Sequence, residues 1–213
     1  MVTEVQILGE RCSGTNFLEK LLEMNFHVKC VWSSGWKHWP LVDTMKPHVV
    51  YIYIHRNIHD WIGSNLKNRH HVPSGVKDIL RERWLIDAPH VPGNIPRTLI
   101  EQRERFLESI FAMQSGIHYW VDYDWLCEHQ VAWLEKLNLP RKGGLAGYTL
   151  KVDPGGRVTR KEWVRSASYP ITSILHKSEY EQWARTMITR NLAELGLPES
   201  AESLVGSAPD SAR

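Results

Sequence analysis

At 213 residues and 24.7 kDa the chain is long enough for one α/β domain with a substantial core and too short for two comfortable ones. A hydrophobic content of 42%, a charged content of 23% and a net charge of +2 exclude nucleic-acid binding driven by bulk charge, so any basic site must be local. Cys12, Cys30 and Cys127 are odd in number and lack C-x-x-C or zinc-ligand spacing, which points to a reducing compartment. No leader-like segment precedes the first strand and no apolar run approaches about 18 residues, so no membrane segment and a cytoplasmic location are expected.

The opening elements are the most informative. Val5 to Leu8 reads as a strand, Gly9-Glu10-Arg11-Cys12-Ser13-Gly14-Thr15-Asn16 as a glycine-spaced loop, and Phe17 to Met24 as an amphipathic helix. Such a joint aims backbone N–H groups and the positive end of the helix dipole at one point, a place for an anion. The spacing of Gly9 and Gly14 fits the nucleotide-binding loop G-x-x-x-x-G-K-[ST]. Thr15 stands where an NTPase needs its lysine, and Asn16 where it needs a hydroxyl magnesium ligand, so the loop is equipped to hold a phosphate and poorly equipped to split a triphosphate.

His27 to Trp32 is expected as a second strand, followed by a polar, Trp-rich connection from Ser33 to Pro47. Val49 to Ile54 is almost continuously apolar, as a strand covered on both faces of a parallel sheet must be. Asn57 caps a helix whose apolar face is Ile58, Trp61, Ile62 and Leu66, with Asp60 in its first turn. A short helix is expected around Lys77 to Leu85 and a longer one over Thr98 to Gln114. Ile117 to Val121 reads as a fourth strand and Asp124 to Leu137 as the helix after it. Tyr148 to Val152 and Arg157 to Arg160 flank Asp153-Pro154-Gly155-Gly156, a turn able to join two antiparallel strands. A final helix starts at a capping box of Ser178 and Glu181, buries Ala184, Met187, Ile188, Asn191, Leu192 and Leu195, and stops at Gly196 and Pro198. The pattern predicts a three-layer α/β/α domain with a central, mainly parallel sheet, like the P-loop nucleotide kinases, over residues 1–198, and a polar tail over 199–213.

The third strand delivers Arg56 at its carboxyl end, where open α/β sheets place their ligands, and no aspartate that could hold magnesium. With Ser64 on the following helix it offers a second anion grip. These residues resemble the sulfotransferases that use 3′-phosphoadenosine 5′-phosphosulfate (PAPS). Arg11 to Thr15 is similar to the family's 5′-phosphosulfate loop, R-x-x-G-T or K-S-G-T. Arg56 to Ser64 is similar to its 3′-phosphate motif, R-[ND]-P-x-D-x-x-x-S, with Ile58 in place of proline. Val121 to Leu126 resembles the family's Y-E-D-L strand-to-helix junction, and Leu137-Asn138-Leu139 its usual helix end, so the likeness runs from residue 4 to about 140.

The resemblance implies a cofactor site of Arg11, Cys12, Ser13, Gly14, Thr15, Asn16, Arg56 and Ser64, with no metal and adenosine 3′,5′-bisphosphate as the spent product. It further implies that Trp36-Lys37-His38-Trp39-Pro40 corresponds to the K-x-H-x-P segment of cytosolic members, offset by one residue. On that reading His38 takes the acceptor's proton, while Lys37 and Arg11 stabilise charge on the leaving phosphate in place of the lysine that many relatives carry at the position of Cys12. Trp32, Trp36 and Trp39 would wall the acceptor, and Arg157, Arg160 and Lys161 either fold over the 3′-phosphate, as basic residues late in the family's sequence do, or belong to a solvated hairpin, and they stand outside the assigned site. The acceptor itself, a small molecule or carbohydrate bearing a hydroxyl or amine, has no motif.

Plainer readings stand beside these. Cys12, at a helix N-terminus beside Arg11, is either a nucleophile of lowered pKa or a small packing residue; Leu18 stands where a cysteine phosphatase needs arginine, which favours packing. His70-His71 imitates a metal pair only superficially, because adjacent side chains point apart. Trp61, Trp125, Trp133 and Trp183 fall on apolar helix faces and are expected in the core. A kinase with relocated ligands and a nucleotide-binding module without chemistry remain the alternatives.

Overall fold

The computed structural model describes residues 2–38, 45–69, 71–86, 95–148 and 179–198. Four parallel strands form one sheet in the order β2-β1-β3-β4, with β1 at Thr3–Leu8, β2 at Val28–Cys30, β3 at Val49–His55 and β4 at Tyr119–Asp122. Among the described residues five α-helices accompany them: α1 (Thr15–Asn25), α2 (Ile58–Lys67), α3 (Leu99–Ala112), α4 (Tyr123–Lys136) and α5 (Glu179–Glu194). This is the expected α/β class, a central parallel sheet flanked by helices in an α/β/α arrangement.

The central pair explains its own position. Val5, Leu8, Ile52, Tyr53 and Ile54 are fully buried, so β1 and β3 are covered on both faces, as the nearly continuous apolar content of β3 requires, while buried Gln6 is the polar exception in the inner part of β1. Their register, Leu8 opposite Tyr53, sets the Gly9 loop beside Arg56. His55 opposite Asp122 brings the start of α4 to the same edge. Because all strands are parallel, the three strand-to-helix joints share one rim.

Several boundaries differ from expectation for local reasons. The second strand spans only Val28–Cys30, not His27 to Trp32, since β2 pairs with β1 alone and over three residues. The helix expected over Lys77 to Leu85 is not formed. Asp78 accepts from the Leu80 N–H and Glu82 from the N–H groups of Lys77 and Asp78, which holds turns, and Trp84 bridges antiparallel to Arg97. Leu66 lies on the exposed side of α2, whereas Ile58, Trp61 and Ile62 are buried as expected. The fourth strand begins two residues late, at Tyr119, and α4 carries a kink at His129. Trp125 and Trp133 are buried in the main core and Trp183 is half-buried against it, whereas Trp61 is buried in a second cluster with Ile58, Ile62 and Trp84.

α3 is capped by a complete box: Thr98 accepts from the Glu101 N–H at 3.2 Å and Glu101 accepts from the Thr98 N–H at 2.8 Å. Gly196, at φ +66°, closes the end of α5 as predicted, with its N–H on Ala193 and that of Leu197 on Leu192. Ser178, the proposed hairpin of Tyr148 to Arg160 beyond its first residue, and the 199–213 tail lie outside the described residues. Among the described residues no helix is long and apolar enough to cross a membrane. Cys12, Cys30 and Cys127 form no disulfide.

Candidate functional site

The β1–α1 loop is built to leave donors open. Gly14 sits at the N-cap of α1 in the left-handed region, φ +98°, where a Cβ would come within 2.1 Å of the Tyr123 ring. No side chain caps α1 and no acidic residue lies in its first turn. By contrast Asn57 caps α2, Thr98 caps α3 and Asp122 caps α4, each with an acidic residue in the first turn. The orphan N–H groups at the start of α1 and its dipole thus meet no carboxylate of their own helix's first turn. Ser13 is fully buried beneath the loop, with its Oγ lacking a hydrogen-bond partner.

A single cleft of about 490 Å³ opens over this loop. Arg11, Cys12, Gly14, Thr15, Asn16, His38, Arg56 and Ser64 line it together, so all but two of the residues assigned to the cofactor and catalytic site share one space. The exceptions are Ser13 and Lys37. Lys37 is buried and its Nζ bonds Asn16 Oδ1 at 2.6 Å and lies 3.3 Å from Glu19, which leaves its charge already matched. Among the described residues that line the cleft, two are arginines, two are histidines and none is Asp or Glu.

Arg56 reaches back across the cleft floor. Its Nη1 donates to the Cys12 carbonyl at 2.9 Å, its guanidinium lies 4.8 Å from the Tyr123 ring centre, and its buried Nε has no hydrogen-bond partner. Arg11 lies over Trp84, with Nη2 donating to Gln102 at 3.3 Å and its carbonyl accepting from Trp61 Nε1 at 2.7 Å. Burial lowers the Arg11 pKa to about 10, so the surroundings do not repay the desolvation of this cation.

The connection carrying His38 is fixed by the central strand. Buried Gln6 of β1 donates to the Gly35 carbonyl at 3.0 Å and accepts from the Ser34 N–H at 3.0 Å. The Gly9 N–H bonds the Lys37 carbonyl at 3.1 Å, and His38 Nδ1 lies 2.7 Å from the Gly9 carbonyl. A carbonyl only accepts, so Nδ1 carries the proton and Nε2 is the basic nitrogen. Burial pulls the His38 pKa down to about 4, with Lys37, Arg11 and His71 acting in the same direction against the Gly9 hydrogen bond. The imidazole is neutral at pH 7 as a result.

Cys12 is a packing residue here. Burial raises its thiol pKa despite the lowering influence of Ser64, Arg11 and Arg56, and it packs on the cluster around Trp61, which disposes of the lowered-pKa nucleophile. Its φ of +63° marks a strained loop, and the only other non-glycine residue at positive φ among the described residues, His71, lines the same cleft. Trp32 is 59% exposed; Trp36 contacts the His38 ring edge-on at 5.2 Å. Trp39, Arg157, Arg160 and Lys161 lie outside the described residues.

Beneath the cleft lies a buried charge cluster that sequence reading missed. Arg103 of α3 places Nη1 2.9 Å from Glu10, Nε 2.9 Å from Glu181 and Nη2 2.9 Å from the Arg56 carbonyl, and it lies 4.8 Å from the Trp61 ring. His55 Nε2 is 3.0 Å from Glu181. The Glu10 contact is close but not aligned as a hydrogen bond, so it acts through charge. One guanidinium thereby ties the loop, the β3 end and α5 together. Glu181, expected as half of a capping box, is engaged in this cluster.

No protein-family model, curated protein or solved structure matches the chain.

Proposed function

We propose that the chain is a sulfotransferase that moves a sulfuryl group from PAPS to a hydroxyl or amine acceptor. The observation that supports this best is the one cleft shared by the uncapped start of α1 and the Arg56–Ser64 pair, with no carboxylate among its described lining residues. Two separated anion grips suit a nucleotide phosphorylated at both its 5′ and 3′ positions. The lack of a lining carboxylate disfavours magnesium-dependent phosphoryl transfer, which needs an acidic metal ligand.

In this reading the N–H groups of Gly14, Thr15 and Asn16 hold the 5′-phosphosulfate, and Arg56 and Ser64 hold the 3′-phosphate. The acceptor oxygen or nitrogen attacks sulfur in line with the leaving phosphate oxygen. As the new bond to sulfur forms, His38 Nε2 takes the acceptor's proton and the sulfur–oxygen bond to the phosphate breaks. A bound polyanion raises the basicity of His38 from its depressed value, which puts the base to work only when the nucleotide is seated. Arg11 faces the developing phosphate charge, whereas Lys37, held by Asn16 and Glu19, acts through the orientation of Asn16.

Because Lys37 is already paired and Cys12 occupies the usual lysine position, a nucleotide-binding module without transfer is the second reading. Calorimetry and labelling separate the possibilities. Sulfotransferase function predicts adenosine 3′,5′-bisphosphate binding without magnesium, no comparable binding of ATP, and transfer of labelled sulfate from PAPS to a member of an acceptor panel. Tight ATP binding that needs magnesium refutes it; bisphosphate binding with no transfer to any acceptor selects the binding module.

A further inference from the structure

The two anion grips stand on different elements, yet one side chain outside the cleft engages both. Arg103 of α3 is fully buried, and among the described residues α3 contributes none to the cleft lining. Its Nη1 lies 2.9 Å from Glu10, the residue before Arg11. Its guanidinium lies 4.8 Å from the ring of Trp61, whose Nε1 donates to the Arg11 carbonyl at 2.7 Å. Its Nη2 donates to the Arg56 carbonyl at 2.9 Å, and Arg56 Nη1 donates in turn to the Cys12 carbonyl at 2.9 Å. Glu10, Arg11 and Cys12 are thus held in succession, and the Glu10 carbonyl passes the constraint toward Gly14 by accepting from the Ser13 N–H at 3.1 Å. On the far side Glu181 of α5 accepts from Nε at 2.9 Å and from Nη2 at 3.1 Å, which fixes the plane of the guanidinium itself.

We propose that Arg103 is a positioning residue that fixes the spacing between the two anion grips, and thereby selects adenosine carrying its second phosphate on the 3′ oxygen over the isomer carrying it on the 2′ oxygen. The proposal rests on the reading of the cleft as a site for a nucleotide phosphorylated at both ends. Charge-assisted hydrogen bonds are short and directional, so a grip held in place cannot follow a phosphate moved to the neighbouring ribose oxygen. A grip free to drift follows it and loses the distinction. Arg103 supplies the constraint because it is one planar, rigid group bonded to the backbone of Arg56 and facing Glu10 of the loop. Lysine at this position keeps a cation between Glu10 and Glu181 but has no fork with which to hold the Arg56 carbonyl as well.

The test compares the full-length wild type with Arg103→Lys, with Glu10→Gln, which removes the charge contact to the loop, and with Thr98→Ala, which weakens the same helix at its cap without touching the cluster. Adenosine 3′,5′-bisphosphate, adenosine 2′,5′-bisphosphate and adenosine 5′-phosphate are titrated calorimetrically without magnesium, below the melting transition of each variant. The wild type prefers the 3′,5′ isomer by at least about 10-fold, the worth of one charge-assisted contact. In Arg103→Lys the preference narrows to under about 3-fold through loss of 3′,5′ affinity, while adenosine 5′-phosphate changes by less than about 2-fold. Glu10→Gln narrows it as well, and Thr98→Ala leaves it at the wild-type value. A wild-type preference in folded Arg103→Lys, a parallel loss of adenosine 5′-phosphate, or an equal narrowing in Thr98→Ala overturns the assignment. If Arg103→Lys fails to fold, Glu10→Gln decides, and an unchanged preference there overturns it. A wild type that binds both bisphosphates equally refutes Arg103 as the spacer and leaves the sulfotransferase reading standing; one that binds neither refutes both.

Discussion

Arg103→Met is the sharpest perturbation of the scaffold under the cleft. The wild-type guanidinium is fully buried between Glu10 and Glu181, with Nε and Nη2 of Arg103 both bonded to Glu181, at 2.9 and 3.1 Å. Methionine preserves much of the apolar volume but strands two buried carboxylates, a loss worth about 3–5 kcal/mol for a broken buried pair. At the usual slope for a chain of this length the melting temperature drops by about 6–20 °C. Urea denaturation followed by tryptophan fluorescence measures it, since the fully buried Trp133 and the cluster partner Trp61 both report on unfolding. The pH dependence gives an independent check. Burial alone would raise the Glu181 pKa, but Arg103 and His55 outweigh it and hold the carboxyl well below its ordinary range. A depressed folded pKa stabilises above the unfolded carboxyl value, about 4.3, and that stability is lost as pH falls through the folded value. Wild-type stability therefore declines with acid below about pH 5. In Arg103→Met burial is opposed only by His55, which stays 3.0 Å from Glu181, and by the more distant Arg185, so the carboxyl pKa rises and the decline with acid becomes shallower than in the wild type. A loss under about 1 kcal/mol, or an acid profile parallel to the wild type, would refute the cluster as the tie between loop, strand and helix.

Three further substitutions address separate parts of the structure. Arg56→Ala should weaken adenosine 3′,5′-bisphosphate by about 1.5–3 kcal/mol more than adenosine 5′-phosphate, measured by calorimetry; equal losses would remove Arg56 from the 3′-phosphate. Gly14→Ala places a Cβ 2.1 Å from the Tyr123 ring at φ +98°, so it should cost at least about 1–3 kcal/mol in chemical denaturation and abolish phosphate binding; a variant with wild-type affinity would show that the loop is not conformationally held. Thr98→Ala removes the side chain that caps α3 and should cost about 1 kcal/mol in urea, with ligand affinity unchanged; a neutral effect would mean the box is decorative.

The rim of the cleft was legible because its parts are backbone devices with short sequence signatures. Glycine spacing after an apolar strand, Asn57 before an apolar helix and Arg56 at a strand end each need only local residues, and parallel pairing then brings them together. The charge cluster below was not legible. Arg103 and Glu181 sit on amphipathic helices, where lone charges ordinarily face water, and their encounter spans 78 residues of sequence. The Thr98-x-x-Glu101 signature was present but unread, and the short helix around Lys77 to Leu85 lost to side-chain-held turns that a brief periodic segment cannot outbid. His71 was passed over with its neighbour as a false metal pair, because backbone φ has no signal in a histidine.

The most direct measurement is a crystal structure with adenosine 3′,5′-bisphosphate grown without magnesium. The sulfotransferase reading predicts the 5′-phosphate on the N–H groups of Gly14, Thr15 and Asn16, and the 3′-phosphate between Arg56 and Ser64. A nucleotide bound elsewhere, or one whose 3′-phosphate faces solvent with Arg56 still turned to the Cys12 carbonyl, would contradict it.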